Sequence, residues 1–372
     1  METTTITPRQ IGPRVRFARE AKNLTQDQVA AALGFNDRQT VSDIENGKRV
    51  LKAEELLELS DLLDRDVEFF VDPFSVVDEA QYSWRASQEV PKEALDRFEE
   101  RAGAWVGLLR WMRESSPIEH DPLKFALRIN TGSTYEAAQQ NAERLVGRLG
   151  LGVVPADKLV QTIEQELDIP VLFVDMDPGG KGSISGAACH LGELGVILVN
   201  RREREGRRNF DLAHELFHHL TWEAMQPNHR ESNSMEHRGR AHRIEQLADN
   251  FASALLMPRA TLDAYIDKER LKDIAHLAAV AEKLRVAPEA LSWRLLNLGL
   301  IDGGTRQALA QRRGAADNNL PRLFSERFVK LLHVALDKGR ISARKAAKTL
   351  GLSLSELSGL FKSYDLSSPF EL

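Results

Sequence analysis

The chain has 372 residues and a formal net charge of −5, from 50 Lys and Arg against 55 Asp and Glu. This charge means that any contact with nucleic acid has to come from a local basic surface, and the length suits two to three domains. The single cysteine, Cys189, excludes an intrachain disulfide and a thiolate-rich metal site. We find no apolar signal segment and no apolar run of about 18 residues, so we expect a cytoplasmic protein with no membrane partner.

Residues 9–70 are predicted to form short helices in close succession. Thr25 is a good N-cap with Gln28 at capping-box spacing, and Gly34 ends the helix that follows. A third helix is predicted over residues 38–45. Two short helices joined by a glycine-containing turn are typical of helix-turn-helix domains, whose second helix enters the major groove of DNA.

The second helix of this pair carries side chains that suit base edges. Arg38 matches guanine and Gln39 matches adenine, while nearby basic residues such as Arg14 and Arg49 can bind phosphates. Acidic residues in the same helix keep open an alternative, a helical bundle used only for protein contacts. The predicted DNA contacts are Arg16, Arg19, Thr25, Gln26, Arg38, Gln39, Thr40, Ser42 and Lys48.

This region resembles the XRE-type helix-turn-helix family of bacterial and phage repressors. The resemblance covers about 55–60 residues and rests on Arg16, Arg19, Leu24-Thr25-Gln26, Ala30, Leu33-Gly34, Ile44-Glu45 and Gly47. It implies operator DNA as a partner and a homodimer as the binding form.

The middle of the chain is predicted to hold a linker, a helical connection and a small sheet. Residues 73–92 show little periodicity, and we interpret them as a linker and as the place to look for self-cleavage. β-Branched, apolar runs at residues 169–174, 183–188 and 195–199 predict a small, mainly antiparallel sheet. The run at 183–188 is either an open edge that pairs with an extended substrate or an ordinary internal strand.

The sharpest chemical pattern is an H-E-x-x-H motif. His214 and His218 are four residues apart, so on a helix they share one face and can bind one Zn²⁺. Glu215 lies between them and can act as a general base on water. A second predicted helix carries Glu245, which we assign as the third ligand. Asp249, one turn later, can accept a hydrogen bond from the outer ring nitrogen of either histidine.

Further polar residues surround this motif. His242 and Tyr265 are candidates for stabilising an oxyanion, although a surface position suits His242 equally well. The polar stretch 226–240, with His229 and His237, is interpreted as a loop over the cleft. Zn²⁺ is the expected cofactor and Mn²⁺ the alternative. The alternative hypothesis is a non-catalytic site, in which the metal only stabilises the fold.

Residues 130–270 are similar to the ImmA/IrrE family of gluzincin-type metallopeptidases. The resemblance rests on His214, Glu215, His218, Glu245, Ala248, Asp249, Phe251, Ala252 and Leu256-Met257-Pro258. It implies a bacterial or mobile-element protein whose metal and Glu215 activate water. It also implies a protein substrate, such as a repressor or a toxin partner.

Together these patterns predict an α+β chain that is mostly helical. A five-helix, XRE-type helix-turn-helix domain is expected at residues 1–72, and a linker and helical connection at 73–130. The ImmA/IrrE-like zinc metallopeptidase domain, with its small antiparallel sheet, is expected at 131–269, and a helical C-terminal domain at 270–372. In that last region we favour a packing or dimerisation bundle over a second helix-turn-helix.

The predicted function is a DNA-binding transcriptional regulator with a zinc-dependent endopeptidase domain. Its substrate is expected to be a repressor, a partner protein or the chain itself, cleaved in response to a signal. The alternative is an antitoxin-like or stress-responsive repressor whose metallopeptidase fold is a non-catalytic sensor or binding scaffold.

Overall fold

The structure, a computed structural model, describes residues 7–114, 126–231, 239–312 and 320–371. These residues form seventeen α-helices and four strands, which confirms the mostly helical α+β class. The helices are α1 (Pro8–Ala21), α2 (Gln26–Ala32), α3 (Arg38–Glu45), α4 (Ala53–Leu63), α5 (Val67–Val71), α6 (Lys92–Glu114), α7 (Tyr135–Arg148), α8 (Leu159–Glu166), α9 (Glu205–Thr221), α10 (Arg240–Leu256), α11 (Arg259–Tyr265), α12 (Ile274–Lys283), α13 (Pro288–Asn297), α14 (Gly303–Ala310), α15 (Glu326–Asp337), α16 (Ala343–Leu350) and α17 (Leu354–Ser363). The strands are β1 (Gln81–Ala86), β2 (Val171–Val174), β3 (Ile184–Leu191) and β4 (Leu194–Asn200).

The chain divides into two compact units. The helical unit consists of Met1–Gln81, Asp96–Ile118 and Lys330–Leu372, and the sheet unit consists of Tyr82–Leu95 and Glu119–Val329. Each unit is thus assembled from separate stretches of chain. Among the described residues, none of the helices has both the length and the apolar character needed to cross a membrane.

Helices α1 to α5 of the helical unit form the predicted five-helix domain around one apolar core. Thr25 caps α2 as expected, since its hydroxyl accepts the Gln28 N–H at 3.2 Å and its own N–H donates to the Gln28 side chain at 2.8 Å. Gly34 has φ +64°, a left-handed conformation that lets the chain turn from α2 into α3. The core residues are Val15, Ala18, Val29, Ala30, Val41, Ile44, Leu59, Leu63 and Phe70.

A buried carboxylate joins the first three helices. Glu45, at the end of α3, accepts hydrogen bonds from Arg19 of α1 at 2.6 and 3.2 Å and from Gln26 of α2 at 2.8 Å. The backbone of α1 approaches this point so closely that a Cβ on Gly12 would lie 2.5 Å from the Glu45 carbonyl oxygen. Glu45 therefore fixes the angle at which α3 leaves the other two helices.

Arg14 is a structural residue, and the prediction that it contacts phosphate is wrong. Its side chain is fully buried and donates to the carbonyl oxygens of Phe70 at 2.8 Å and Ser75 at 2.7 Å. Burial lowers the pKa of Arg14 to about 10. Sequence could not show this, because a buried arginine and an exposed one give the same local pattern.

The C-terminal helices α16 and α17 also belong to the helical unit. Ser342 caps α16, and Gly351 ends it in the left-handed conformation, with φ +69°. Lys345 on α16 pairs with Glu68 at 2.9 Å and with Asp72 at 3.3 Å. These contacts fit the packing interpretation of the C-terminal segment.

The sheet has the strand order β1-β3-β4-β2 and is mixed. Strands β3 and β4 pair antiparallel, with Gly186 opposite Val199, whereas β2 runs parallel to β4, with Val171 opposite Ile197. The structure differs from the sequence expectation at β1, because residues 73–92 do not form a simple linker. They contain a strand that pairs along β3, so the run at 183–188 is not an open edge.

Helices α9 and α10 lie against this sheet and position the residues of interest. Helix α9 packs against β3 and β4, and α10 packs against α7 and α9. The apolar faces meet at Phe217 and Phe251, whose ring centroids are 5.4 Å apart. Both helices are thus held in one core, and His214 of α9 faces Glu245 and Asp249 of α10.

We expect Glu45→Ala to loosen the contact of α1 to α3, because the Arg19 guanidinium loses its buried partner. Hydrogen bonds to charged groups contribute about 1.5–3 kcal/mol, so amides in these helices should exchange with deuterium about ten- to a hundredfold faster in the full chain. The exposed Glu58→Ala on α4 is the matched control. Unchanged exchange in Glu45→Ala would mean that apolar packing alone holds the three helices.

Candidate metal centre

Helix α9 brings the two histidines of the H-E-x-x-H motif together. The Nε2 atoms of His214 and His218 are 3.1 Å apart, and both side chains are fully buried. Two imidazole nitrogens at this distance in a buried site are arranged as ligands of one ion.

Helix α10 adds the predicted carboxylates. Glu245 Oε2 lies 3.1 Å from His214 Nε2 and 3.5 Å from His218 Nε2. One turn later, Asp249 Oδ1 lies 2.9 Å from His214 Nδ1. When Nδ1 donates its proton to Asp249, the Nε2 lone pair of His214 is free to bind a metal.

A fourth donor, Glu231, was not predicted. Its Oε2 lies 3.4 Å from His214 Nε2, its Oε1 lies 3.6 Å from His218 Nε2, and its side chain is buried. The donor atoms of His214, His218, Glu231 and Glu245 lie within 4.8 Å of one another. In a tetrahedral site with bonds of about 2.0–2.1 Å, ligand atoms are about 3.3 Å apart, and the donor spacings of 3.1 to 3.6 Å in this cluster approach that value.

Arg85 on β1 was also missed. Its buried guanidinium lies 2.9 Å from Asp211, 3.3 Å from Glu231 and 3.5 Å from Asp249. Its Nη1 is also 2.7 Å from His214 Nδ1. His214 Nδ1 cannot both donate to Asp249 and accept from Arg85. If it accepted from Arg85, the ring proton would lie on Nε2 and that nitrogen could not bind a metal.

Glu215, the expected general base, is buried beside β3. Neither of its carboxylate oxygens has a hydrogen-bond partner among the residues that the structure describes. A Cβ on Gly186 would face Glu215, at a van der Waals distance of 3.7 Å from its Cγ, and would lie 2.9 Å from the Leu198 carbonyl oxygen, which is the contact that disfavours a side chain here. Burial raises the pKa of Glu215 well above its usual value, and the nearby charge of Glu231 acts in the same direction.

The charges around α9 fit a bound cation. Asp211, Glu215, Glu231 and Glu245 are all buried, and Arg85 is the main buried cation that faces them. Unpaired buried carboxylates are costly, and a divalent ion among the four donor atoms would offset that cost. The donor set of two imidazoles and two carboxylates suits Zn²⁺, and Mn²⁺ also accepts such ligands.

Two family models match separate regions of the chain. Residues 164–296 match the Peptidase_M78 family, described as the IrrE N-terminal-like domain, and residues 15–70 match the helix-turn-helix family HTH_3. The chain therefore carries an IrrE-like domain and a helix-turn-helix domain. The metal donors all lie inside the first match, whereas Arg85 lies outside both.

The other comparisons add little. No curated protein matches the chain. Among solved structures, the apo form of the competence regulator ComR from Streptococcus vestibularis is 10% identical, with a TM-score of 0.17. That match covers 93% of this chain and 99% of ComR, and with so low a score it carries no argument.

The remaining residues predicted near the centre of the IrrE-like domain take different positions. His242 lies on α10 three residues before Glu245, and its buried Nδ1 has no hydrogen-bond partner in the described part of the chain. Tyr265 ends α11 and packs against the apolar core. Neither belongs to the donor cluster found among the described residues. Of the loop at 226–240, residues 232–238 with His237 lie outside the described residues, and the His229 carbonyl oxygen accepts the N–H of Trp84.

The predicted DNA contacts are divided in the helix-turn-helix domain. Arg38 and Gln39 are exposed at the start of α3, and Gln39 donates to Asp43 at 2.9 Å. Arg19 and Gln26 are instead bound to Glu45 within the domain, as described above. Of the others, Thr25 and Lys48 are exposed and Arg16, Thr40 and Ser42 are half-buried.

We expect the full chain to bind one divalent ion at this centre. Dialysis against a chelator followed by Zn²⁺ should restore about one ion per chain, measured by elemental analysis. At free Zn²⁺ about 100 times the Kd, binding adds about 2.7 kcal/mol of stability and raises the Tm. His218→Ala should lose the ion, while His276→Ala, outside the cluster, should keep it. Equal metal content in both variants would contradict the assignment.

Proposed function

We propose that this chain is a DNA-binding transcriptional regulator that acts in the cytoplasm. Its IrrE-like domain is a metal-dependent endopeptidase that cleaves a partner protein in response to a signal. The observation that carries this proposal is the buried cluster of His214, His218 and Glu245. Glu215, on the same helix as the two histidines, has a buried carboxylate with no hydrogen-bond partner among the described residues. Zn²⁺ is the proposed ion, with Mn²⁺ as the alternative.

The chemistry follows from these side chains. When bound, the metal polarises the scissile carbonyl and makes water more acidic. Glu215 accepts a proton from water as the water oxygen forms a C–O bond with the carbonyl carbon. It then passes that proton to the leaving amine nitrogen as the C–N bond breaks. Asp249 holds the ring of His214 in its metal-binding tautomer. One water is consumed, and a carboxylic acid and an amine are released.

We expect Glu215→Gln to abolish cleavage and to retain the ion. Loss of a general base lowers the rate by about 10²–10⁴-fold. The variant and the wild-type chain are incubated with Zn²⁺ or Mn²⁺ and the products of neighbouring genes, including repressors and toxin partners, and cleavage is followed by mass spectrometry. Glu223→Gln, an exposed site just beyond α9, is the matched control. Equal cleavage by Glu215→Gln and wild type would refute the general-base role.

The helix-turn-helix domain supplies the proposed operator contacts. Arg38 and Gln39 stand exposed at the start of α3, where the recognition helix of such domains reaches base edges. Lys48 and Arg16 are proposed phosphate contacts. Thr40 and Ser42 lie on α3 with Arg38 and Gln39 and are further proposed DNA contacts. Binding as a homodimer would match a palindromic operator.

We expect the double variant Arg38→Ala, Gln39→Ala to weaken operator binding about tenfold or more, because each lost base contact costs about 1–3 kcal/mol of discrimination. Lys48→Ala is the comparison, since loss of a phosphate contact weakens all sequences alike and lowers the salt slope by about 1. Affinities are measured by a salt titration on operator and random DNA. Unchanged discrimination in the double variant would remove α3 as the recognition helix.

One observation favours a second candidate function. Glu231 adds a fourth protein donor, and four protein ligands are typical of structural zinc sites, whereas catalytic sites keep one position open. The second candidate is therefore an operator-binding repressor whose IrrE-like domain is a metal-stabilised sensor or scaffold. Operator binding without cleavage of any candidate under any trigger would support it.

A further inference from the structure

The edge of β3 next to the metal centre is the natural place for an extended peptide. Gly186 of β3 faces Glu215, so a peptide added along this strand would pass beside the general base. Peptides often bind by adding a strand to a free sheet edge. Here the edge is already taken by β1, and Ser87 just beyond β1 donates its N–H to the Ser183 carbonyl at 2.9 Å.

Strand β1 also pairs with the segment that carries Glu231. Trp84 donates its N–H to the His229 carbonyl at 2.8 Å, and Glu231 donates its N–H to the Trp84 carbonyl at 3.0 Å. Arg230 reinforces this pairing by donating to the carbonyl oxygens of Ser87 and Val90, the latter at 3.0 Å. Strand β1 therefore lies between β3 and residues 229–231 and bonds to both.

Two side chains, Arg85 and Glu231, connect this backbone pairing with the candidate metal centre. From β1, Arg85 contacts Glu231 at 3.3 Å and lies 2.7 Å from His214 Nδ1. From the paired segment, Glu231 places its carboxylate oxygens beside the Nε2 atoms of both histidines. A carboxylate at this place fills the coordination position that a catalytic site reserves for water.

We propose that β1 and residues 229–231 form an internal latch that keeps the peptidase inactive. The latch blocks both requirements of catalysis, since β1 covers the peptide-binding edge and Glu231 closes the metal. Because the two parts are hydrogen-bonded to each other, withdrawal of β1 frees the edge and the coordination position together. This proposal rests on the proposed peptidase function, and it explains how a four-donor site and an intact general base occur in one domain.

The closed metal is tested with Co²⁺ bound to the full chain, because its visible spectrum reports coordination. In the wild-type chain all four ligands come from the protein, so the spectrum should not change between about pH 6 and 9. In Glu231→Ala, water should take the vacated position and titrate with a midpoint of about 7. A wild-type spectrum that titrates in the same way would overturn the role of Glu231.

The pairing of the latch is tested without touching a metal donor. Arg230→Ala should raise deuterium exchange of peptides that cover β1 and residues 226–231 about tenfold, because Arg230 loses its bonds to Ser87 and Val90. It should also accelerate cleavage of a quenched library of extended peptides. Arg202→Ala removes an exposed arginine paired with Asp175 and is the matched control. Equal exchange in Arg230→Ala and Arg202→Ala would overturn the latch.

Cleavage separates the latch from the peptidase function. If Glu231→Ala gains a titrating water and Arg230→Ala exchanges faster, the latch is supported by measurements that require no substrate. Faster peptide cleavage in both variants then supports the peptidase as well. If neither variant cleaves any peptide or neighbouring-gene product, the endopeptidase proposal fails while the closed metal site stands.

Discussion

The guanidinium of Arg85 is the contact on which the closed form of the candidate metal centre depends. Ionised carboxylates are removed from water only where other charges compensate them, and breaking one partner of such a buried pair costs about 3–5 kcal/mol. Arg85 lies within 3.5 Å of Asp211, Glu231 and Asp249, so it draws α9, α10 and the Glu231 segment around one positive charge. The same contact ties strand β1, which carries Arg85, to α9 and α10.

The helical unit also contains a buried charged group that binds side chains from several helices. Glu45 is a buried carboxylate that collects Arg19 and Gln26, and it thereby sets the position of α3 relative to α1 and α2. The result is a fixed helix whose first residues, Arg38 and Gln39, remain exposed. In one unit a buried charge orients the helix proposed to contact DNA, and in the other it gathers the donors of the candidate metal centre.

The metal centre also shows why intact catalytic residues do not by themselves imply an open site. His214, His218, Glu215 and Glu245 form the residue set that the proposed hydrolysis would use, yet Glu231 adds a fourth donor to the same cluster. Glu215 is a buried carboxylate whose two oxygens lack hydrogen-bond partners among the described residues, and such a group is costly in a site that only stabilises the fold. An internal latch reconciles the two observations, because a general base kept ready beside a closed metal is consistent with activity that is released by a signal.

Regular spacing determined much of this protein from sequence alone. The five N-terminal helices, the capping of α2 and the H-E-x-x-H helix follow from helical periodicity and from the local preferences of Thr25 and the glycines. On α9 and α10 the i, i+4 rule placed His214 with His218 and Glu245 with Asp249 on single helix faces, and the structure brings these faces together.

Only the tertiary structure decided the rest. Residues 81–86 (Gln-Tyr-Ser-Trp-Arg-Ala) do alternate polar and apolar types, but the run is short and the segment around it has little periodicity, so from sequence alone it is assigned to a linker. The burial of Ser83 and Arg85 together with the apolar residues is seen only in the structure. Arg85 is 129 residues before His214, and Glu231 follows His218 by an irregular stretch with no helical spacing. Local periodicity reports which residues share a face of one element. It cannot report a contact between distant segments, because that contact exists only after the chain has packed and the buried charges have found their partners.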